Sequence, residues 1–283
     1  MGKVMNVLVT GGRGQIGNII RPGLMDKRRF DLELDVYDYQ DGDDIFDIEK
    51  LTSRMRGKDV VVHLAAIGGP GRLPNPYDYE RINVDGFRTV LWLASRVRVP
   101  KFIYASSDAV YGPTHGNLVP TRFPLHEDTP PPPEDKLHRY TKTKIAADKI
   151  AKDFAGTTDM VIIGLRIWPQ VPYANHFFEA QHGRQGDWLY AYILWIDLQE
   201  AFGLAIETKR VKSYVVCNIV TPTTPIEYVD IQAWVKKTWP DVPNFTSGQE
   251  TLVDISRAQK YLDYYPEFKR LILTQGDYDE AKM

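Results

Sequence analysis

The stretch Val4-Met5-Asn6-Val7-Leu8-Val9-Thr10-Gly11-Gly12-Arg13-Gly14-Gln15-Ile16-Gly17 decides the fold. A valine-rich apolar run leads straight into a glycine-rich turn, and Ile16 to Leu24 then has helical character despite Pro22. Gly11, Gly14 and Gly17 stand in a G-x-x-G-x-x-G spacing. Glycines there permit a tight turn, let backbone N–H groups approach a pyrophosphate, and let the helix pack close to the strand. The following strand, Leu32 to Asp38, ends on an acid. A carboxylate at that place accepts the ribose hydroxyls of NAD and repels the 2′-phosphate of NADP. Arg13, inside the loop, is the opposing signal, because a guanidinium suits a phosphate. Asp38 outweighs it, so the expected cofactor is NAD rather than NADP.

Outward from this unit, strands and helices alternate. Asp59 to Leu64, Lys101 to Ala105 and Met160 to Leu165 read as strands; Ile48 to Met55, Ile82 to Val97 and Tyr140 to Phe154 read as helices. Alternation of this kind builds a parallel sheet covered on both faces. The expected fold is α/β: a Rossmann-type doubly wound parallel sheet with a small mixed α/β lobe. The expected division is residues 1–168 for the nucleotide-binding domain and 169–283 for a small, interlocked substrate lobe. In that second half Asp197 to Thr208, Ile226 to Trp239 and Asp254 to Tyr261 read as helices and Tyr214 to Ile219 as a strand, and some segments are expected to return to the nucleotide-binding domain.

Composition narrows the function. The chain has 283 residues, 43% hydrophobic and 25% charged, with 35 Lys+Arg against 37 Asp+Glu, a formal charge of −2. A near-neutral chain without a basic block argues against nucleic acid as a partner. No apolar run reaches the ~18–20 residues of a membrane span. Cys217 is the one cysteine, in an apolar run that reads as a buried strand, so it is expected to be inert packing. Met5 to Thr10 reads as a strand rather than part of a leader, and the expectation is a cytoplasmic protein. No His/Cys/Asp/Glu spacing suggests a metal site.

Tyr140 and Lys144 lie four residues apart on a helical pattern and so share a face. A free phenol, with a pKa near ~10, is too weakly acidic to serve as a base at neutral pH. A neighbouring ammonium stabilises the phenolate. Such a pair can exchange a hydroxyl proton while a hydride moves to or from a nicotinamide. His63 and His138 are tempting acid–base groups, but a strand end suits packing for His63, and His138 reads as solvated.

These residues resemble the extended short-chain dehydrogenase/reductase family, the NAD-dependent epimerase/dehydratase group, over about Val4 to Phe268. Further segments look like its landmarks: Asp44-Ile45, His63-Leu64-Ala65-Ala66, Asn83, Ser106 to Gly112, and Leu165-Arg166. The resemblance implies Ser107 as the catalytic serine, Tyr140 as general base or acid, and Lys144 as the group that lowers the tyrosine pKa. It implies a cofactor site of Gly11, Gly14, Gln15, Ile16, Gly17, Asp38, Asp44, Ile45, Leu64, Ala65, Ala66 and Asn83, with Tyr140 and Lys144. A homodimer packed through the helices at 83–97 and 140–154 is also implied, where Leu91, Trp92, Ile145 and Ile150 are apolar.

Departures from the pattern bear on the substrate. Sugar-nucleotide 4,6-dehydratases carry Asp-Glu after the catalytic hydroxyl, whereas this chain has Asp108-Ala109, which argues against dehydration. Many nucleotide-sugar epimerases carry an asparagine shortly after Leu-Arg, whereas this chain reads Ile167-Trp168-Pro169-Gln170. The C-terminal half is short and resembles that of uronate dehydrogenases. Arg184 is the one Arg or Lys between Pro172 and Leu189, and a diphosphate usually wants more cations. Asp108 at the pocket would repel a carboxylate and accept hydrogen bonds from neutral hydroxyls. Trp168, Tyr173, His176, Phe177, Phe178, Trp188, Tyr190 and Tyr192 are either a stacking surface for a sugar or the core of the lobe. The expectation is an NAD-dependent oxidoreductase acting on a hydroxyl of a small sugar-like substrate, with Asp108, Trp168 and Arg184 at the substrate. The alternative is a nucleotide-sugar (UDP-sugar) 4-epimerase with tightly held NAD. A non-catalytic NAD sensor is a third class, disfavoured by the Ser-Tyr-Lys set.

Overall fold

The computed structural model describes residues 4–69, 77–112, 122–172, 191–221, 231–242 and 252–266. Its sheet has six strands, all parallel. They are β1 (Met5–Thr10), β2 (Leu32–Tyr37), β3 (Val60–His63), β4 (Lys101–Ser107), β5 (Val161–Ile167) and β8 (Tyr214–Ile219). The spatial order is β2-β1-β3-β4-β5-β8. The chain therefore moves outward from β1 to β2 and then returns to the other side of β1 as β3. At such a reversal the flanking loops diverge and leave a crevice beyond the carboxyl ends of the strands. Register places Thr10 opposite both Tyr37 and His63, so the loops after β1, β2 and β3 start at one level.

Alternation along each strand feeds two cores. Val7, Val9, Val60, Val62, Ile103, Ile163 and Leu165 face one layer, with α1 (Gln15–Leu24), α6 (Trp195–Glu207) and α8 (Ser256–Leu262). Leu8, Val61, Phe102, Tyr104 and Ile162 face the other, with α2 (Ile48–Met55), α4 (Phe87–Arg96) and α5 (Arg139–Ala155). Strands buried on both faces need apolar residues at consecutive positions, which is why these strands read as continuous valine and isoleucine runs. Packing outweighs helix propensity at Gly203 in α6: a Cβ there would lie 2.0 Å from the Phe30 ring. A mid-helix glycine costs about 1 kcal/mol, and burying a phenylalanine returns about 2–3 kcal/mol.

One long helix over Ile82 to Val97 is expected from periodicity, but the structure divides the region. The helix α3, described over Tyr77–Glu80, runs into a π-helical turn, Arg81–Gly86, before α4 begins. The physical reason is Asn83, which reaches across to Ile67: its Oδ1 accepts from the Ile67 N–H at 2.7 Å and its Nδ2 donates to the Ile67 carbonyl at 3.0 Å. A widened turn accommodates such a tether. On α4, Leu91 is buried toward the sheet, whereas Trp92 is half exposed.

The strand β8 returns from the second half of the chain to pair with β5. A third core, with Tyr111, Phe123, Leu125, Trp168, Ala191, Val220 and Val253 among its members, lies beyond the strand ends. The two-residue strands β6 (Gln170–Val171) and β7 (Ile193–Leu194) pair in parallel. The helix α7 is described over Ile231–Thr238, and residues 226–230 of the expected helix lie outside the described ones. Among the described residues, no helix is long and apolar enough to cross a membrane.

Candidate active site

The crevice at the sheet reversal holds a cavity of about 580 Å³. Gly11, Gly14, Asp38, Asp44, Ile45, Leu64, Ala65 and Ala66 line it, eight of the residues singled out from the sequence. Gly11 adopts a φ of +72°, and a Cβ there would stand 2.4 Å from the Ala65 backbone nitrogen. A Cβ on Gly17 would meet the Gly12 carbonyl oxygen at 2.2 Å. These two glycines let the loop lie against the β3 end and let α1 start beneath it. Gly14 differs: its Cβ would contact only the Gly11 oxygen, at 3.2 Å. It lines the cavity and is the N-cap of α1, where no side chain caps the helix and the first turn carries no acid, an end whose N–H groups suit an anion.

Asp38 is buried and well held. Its Oδ2 accepts from the Arg13 N–H at 2.8 Å and its Oδ1 from the Gln40 N–H at 2.9 Å. Each oxygen keeps acceptor capacity for a hydroxyl. The Arg13 guanidinium does not point at Asp38; its Nε donates to Asp41 at 2.5 Å. Tyr37, Gln40, Phe46 and Arg81 also line the cavity, and sequence reasoning missed them. Arg81 lies over the Phe46 ring at 5.1 Å. That pairing joins the π-helical turn to the segment before α2 and leaves no periodic signal.

Six cofactor candidates do not line the cavity: Gln15, Ile16, Gly17, Asn83, Tyr140 and Lys144. Gln15 Nε2 donates to Gln170 Oε1 at 3.0 Å, tying the glycine loop to β6. Asn83 spends its side chain on Ile67 and on Thr143 of α5, with Nδ2 3.2 Å from Thr143 Oγ1, and it does not line the cavity.

Ser107, Tyr140 and Lys144 come from β4 and α5. Ser107 is the last residue of β4, and its Oγ accepts from the Ala109 N–H at 3.2 Å, capping a single 3-10 turn, Asp108–Tyr111. Tyr140 sits in the first turn of α5. His138, expected to be solvated, is instead half-buried and caps that helix, its Nδ1 accepting from the Tyr140 N–H at 3.1 Å. Lys144 lies one turn on, buried, with Nζ 5.7 Å from the Tyr140 ring centre and donating to the Ala105 carbonyl at 2.8 Å. Burial pushes its ammonium down to about 8, while Asp148 pulls the other way. A cation beneath the phenol ring stabilises the phenolate.

His63 donates to or accepts from Thr10 Oγ1 through Nδ1 at 2.7 Å and packs between Phe87 and Phe102. Burial, with Lys144 nearby, holds it down to about 3, so it is a neutral packing residue. Cys217 is buried, and burial pushes its thiol up.

The substrate candidates fare unevenly. Asp108 is buried beside Ser107, and its Oδ1 accepts the serine hydroxyl at 2.9 Å. Trp168 corrects the stacking idea: it is fully buried in the third core, its ring 5.6 Å from that of Tyr111. Apolar contact with Tyr111, Phe123 and Leu125 outcompetes exposure at a sugar face. Tyr192 is likewise fully buried. Arg184, with Tyr173, His176, Phe177, Phe178, Trp188 and Tyr190, lies outside the described residues. Among the described residues, no group of three His, Cys, Asp or Glu could hold a metal ion.

A sequence model of the NAD dependent epimerase/dehydratase family matches residues 7–171. The chain is 31% identical over 150 residues to a putative UDP-arabinose 4-epimerase of Arabidopsis thaliana, covering 53% of this chain and 31% of that protein. It thus spans about a third of the length of such curated relatives. Its fold is similar to that of the UDP-N-acetylglucosamine 4-epimerase of Methanobrevibacter ruminantium M1, solved with UDP-N-acetylmuramic acid, at a TM-score of 0.67 and 20% identity. That superposition covers 99% of this chain and 98% of the other. A mutated uronate dehydrogenase is similar at a TM-score of 0.62 and 15% identity, over 94% of this chain and 82% of the other.

Proposed function

This chain belongs to the NAD dependent epimerase/dehydratase family, and on that premise we propose that it uses NAD to draw a hydride from a hydroxyl-bearing carbon of a sugar. The observation that carries the reading is Lys144, buried beneath the Tyr140 ring and anchored to β4, whose last residue is Ser107. Tyr140 as phenolate takes the hydroxyl proton, the Lys144 ammonium stabilises that phenolate, and Ser107 steadies the reacting oxygen. NAD, when bound, supplies the hydride acceptor. The cleft suits it: the α1 N-terminus and Gly14 would offer room and N–H donors for a pyrophosphate, Asp38 would accept from ribose hydroxyls, and Ile45 would give the adenine an apolar contact.

The first reading is a nucleotide-sugar 4-epimerase, in which the hydride returns to the opposite face of the oxidised sugar. Its support is the 31% identity to the plant 4-epimerase over the cofactor half. The brevity of the C-terminal half does not weigh against it, since a 4-epimerase of solved structure is covered over 98% of its length. The second reading is a dehydrogenase of an unconjugated sugar. Pro169-Gln170 favours it, because this chain lacks the expected asparagine there and Gln170 is already bonded to Gln15.

The test is absorbance at the NADH band with NAD and a panel of free sugars, sugar acids and nucleotide sugars. A nucleotide sugar converted to its 4-epimer without net NADH supports the first reading. Stoichiometric NADH from a free sugar replaces it with the second. Tyr140→Phe abolishes either activity while leaving NAD binding intact; a Tyr140→Phe protein with full activity would refute the assignment of the base.

A further inference from the structure

The loop from Gly11 to Gly17 carries one cation, Arg13. Its backbone is pinned on both sides. The N–H donates to Asp38, and the carbonyl accepts from Asn18 Nδ2 at 2.9 Å. The guanidinium turns away to Asp41, at the surface, with the side chains 45% and 35% exposed. Asp41 belongs to the single 3-10 turn Tyr39–Asp41 that follows Asp38, and its N–H donates to the Asp38 carbonyl at 2.9 Å. The Arg13 backbone thus holds the carboxylate read above as the ribose partner, and Asp41 follows that residue by one tight turn.

We propose that Asp41 is a cofactor-selecting residue: by holding Arg13, it denies the 2′-phosphate of NADP the one guanidinium of the glycine loop. The inference rests on the reading of this cleft as a dinucleotide site. A phosphomonoester carries a charge of about −1.5 to −2 at neutral pH. Brought to this rim it meets two carboxylates, Asp38 and Asp41, and an arginine already committed to one of them. The ribose hydroxyls of NAD need only the acceptor that Asp38 supplies, so NAD loses nothing. With Asp41 uncharged, the planar donor fork of Arg13 is free for a phosphate, the anion it matches best. Selectivity is then set by the Arg13–Asp41 pair together with Asp38, rather than by Asp38 alone.

The test needs no knowledge of the substrate. Purified protein is incubated with equal NAD and NADP and gel-filtered, and the retained dinucleotides are released by denaturation and quantified. Wild type retains NAD. Asp41→Asn raises the NADP:NAD ratio by about tenfold or more, the scale of one charge-assisted phosphate contact. Asp41→Asn with Arg13→Ala loses most of that rise. A ratio unmoved by Asp41→Asn overturns the proposal. So does a ratio that stays raised without Arg13, which would assign the effect to the Asp41 charge alone. Wild type that binds neither dinucleotide, by retention or by equilibrium titration with each, overturns the cofactor reading itself, a different result from NAD binding indifferent to Asp41.

Discussion

Ser107 donates its hydroxyl proton to Asp108 Oδ1 at 2.9 Å while accepting from the Ala109 N–H at 3.2 Å. A serine has one proton to give. That proton is committed to Asp108 in the unliganded protein, so Ser107 steadies a substrate oxygen by turning its O–H from Asp108 to that oxygen while Tyr140 takes the hydroxyl proton. The carboxylate also sets a negative charge at the reacting end of the site. Asp108→Asn is expected to raise activity toward uronic-acid substrates relative to neutral ones by about tenfold, since a like charge is removed. Steady-state kcat/KM ratios measured on matched acid and neutral sugars check this, and an unchanged ratio rules out the charge as a selector.

Lys144 predicts a stability profile in alkali. Its ammonium titrates at about 8 in the folded protein because of burial, against 10.5 ordinarily. Between those values the unfolded chain binds the proton that the folded chain has lost, so stability rises with pH across that window. Below pH 8 both states are protonated and the buried charge costs the unliganded protein about 3 kcal/mol. Lys144→Met lacks that cost. Melting temperatures of the unliganded wild type should approach those of Lys144→Met as pH goes from 8 to 10; a constant gap contradicts the burial argument.

The two inner glycines separate folding from binding. Gly17→Ala forces a Cβ to 2.2 Å from a backbone oxygen, which no side-chain rotation relieves. A loss of about 3 kcal/mol or more, or no soluble protein, is expected. Gly14→Ala meets only a contact at 3.2 Å and should keep the fold while its methyl intrudes on the cofactor. Thermal melts with and without NAD distinguish the pair: Gly14→Ala should melt near wild type and gain nothing from NAD.

On α5 itself, one turn past Lys144, Asp148 accepts from Arg166 Nε at 3.0 Å and from the Tyr104 hydroxyl at 3.0 Å. Arg166 reaches on to the Tyr111 hydroxyl at 2.9 Å and the Glu127 carbonyl at 3.0 Å. Both members of the ion pair are buried. Asp148→Asn leaves the guanidinium without its counter-charge, at a cost of about 3–5 kcal/mol. Urea unfolding should show the midpoint fall at unchanged slope; a midpoint within error of wild type would mean that Tyr111 and Glu127 suffice.

What could be read from the chain alone was whatever is local to one element. Gly11, Gly14 and Gly17 announce a phosphate-binding turn because their spacing lies within one strand–turn–helix unit. Tyr140 and Lys144 share a face because helical pitch alone puts them there. The all-parallel sheet follows from consecutive apolar residues in Val7 to Val9 and Val60 to Val62, which require burial on both faces. Trp168 was ambiguous, since an aromatic near a site reads alike as a stacking platform or as core, and only packing against Tyr111 decides. The tether of Asn83 to Ile67, the turning of Arg13 to Asp41, and the Gln15–Gln170 bond across 155 residues belong to the tertiary structure. They join elements whose proximity arises only when the βα units stack. No periodicity along a single segment encodes which distant side chain fills the space beside it.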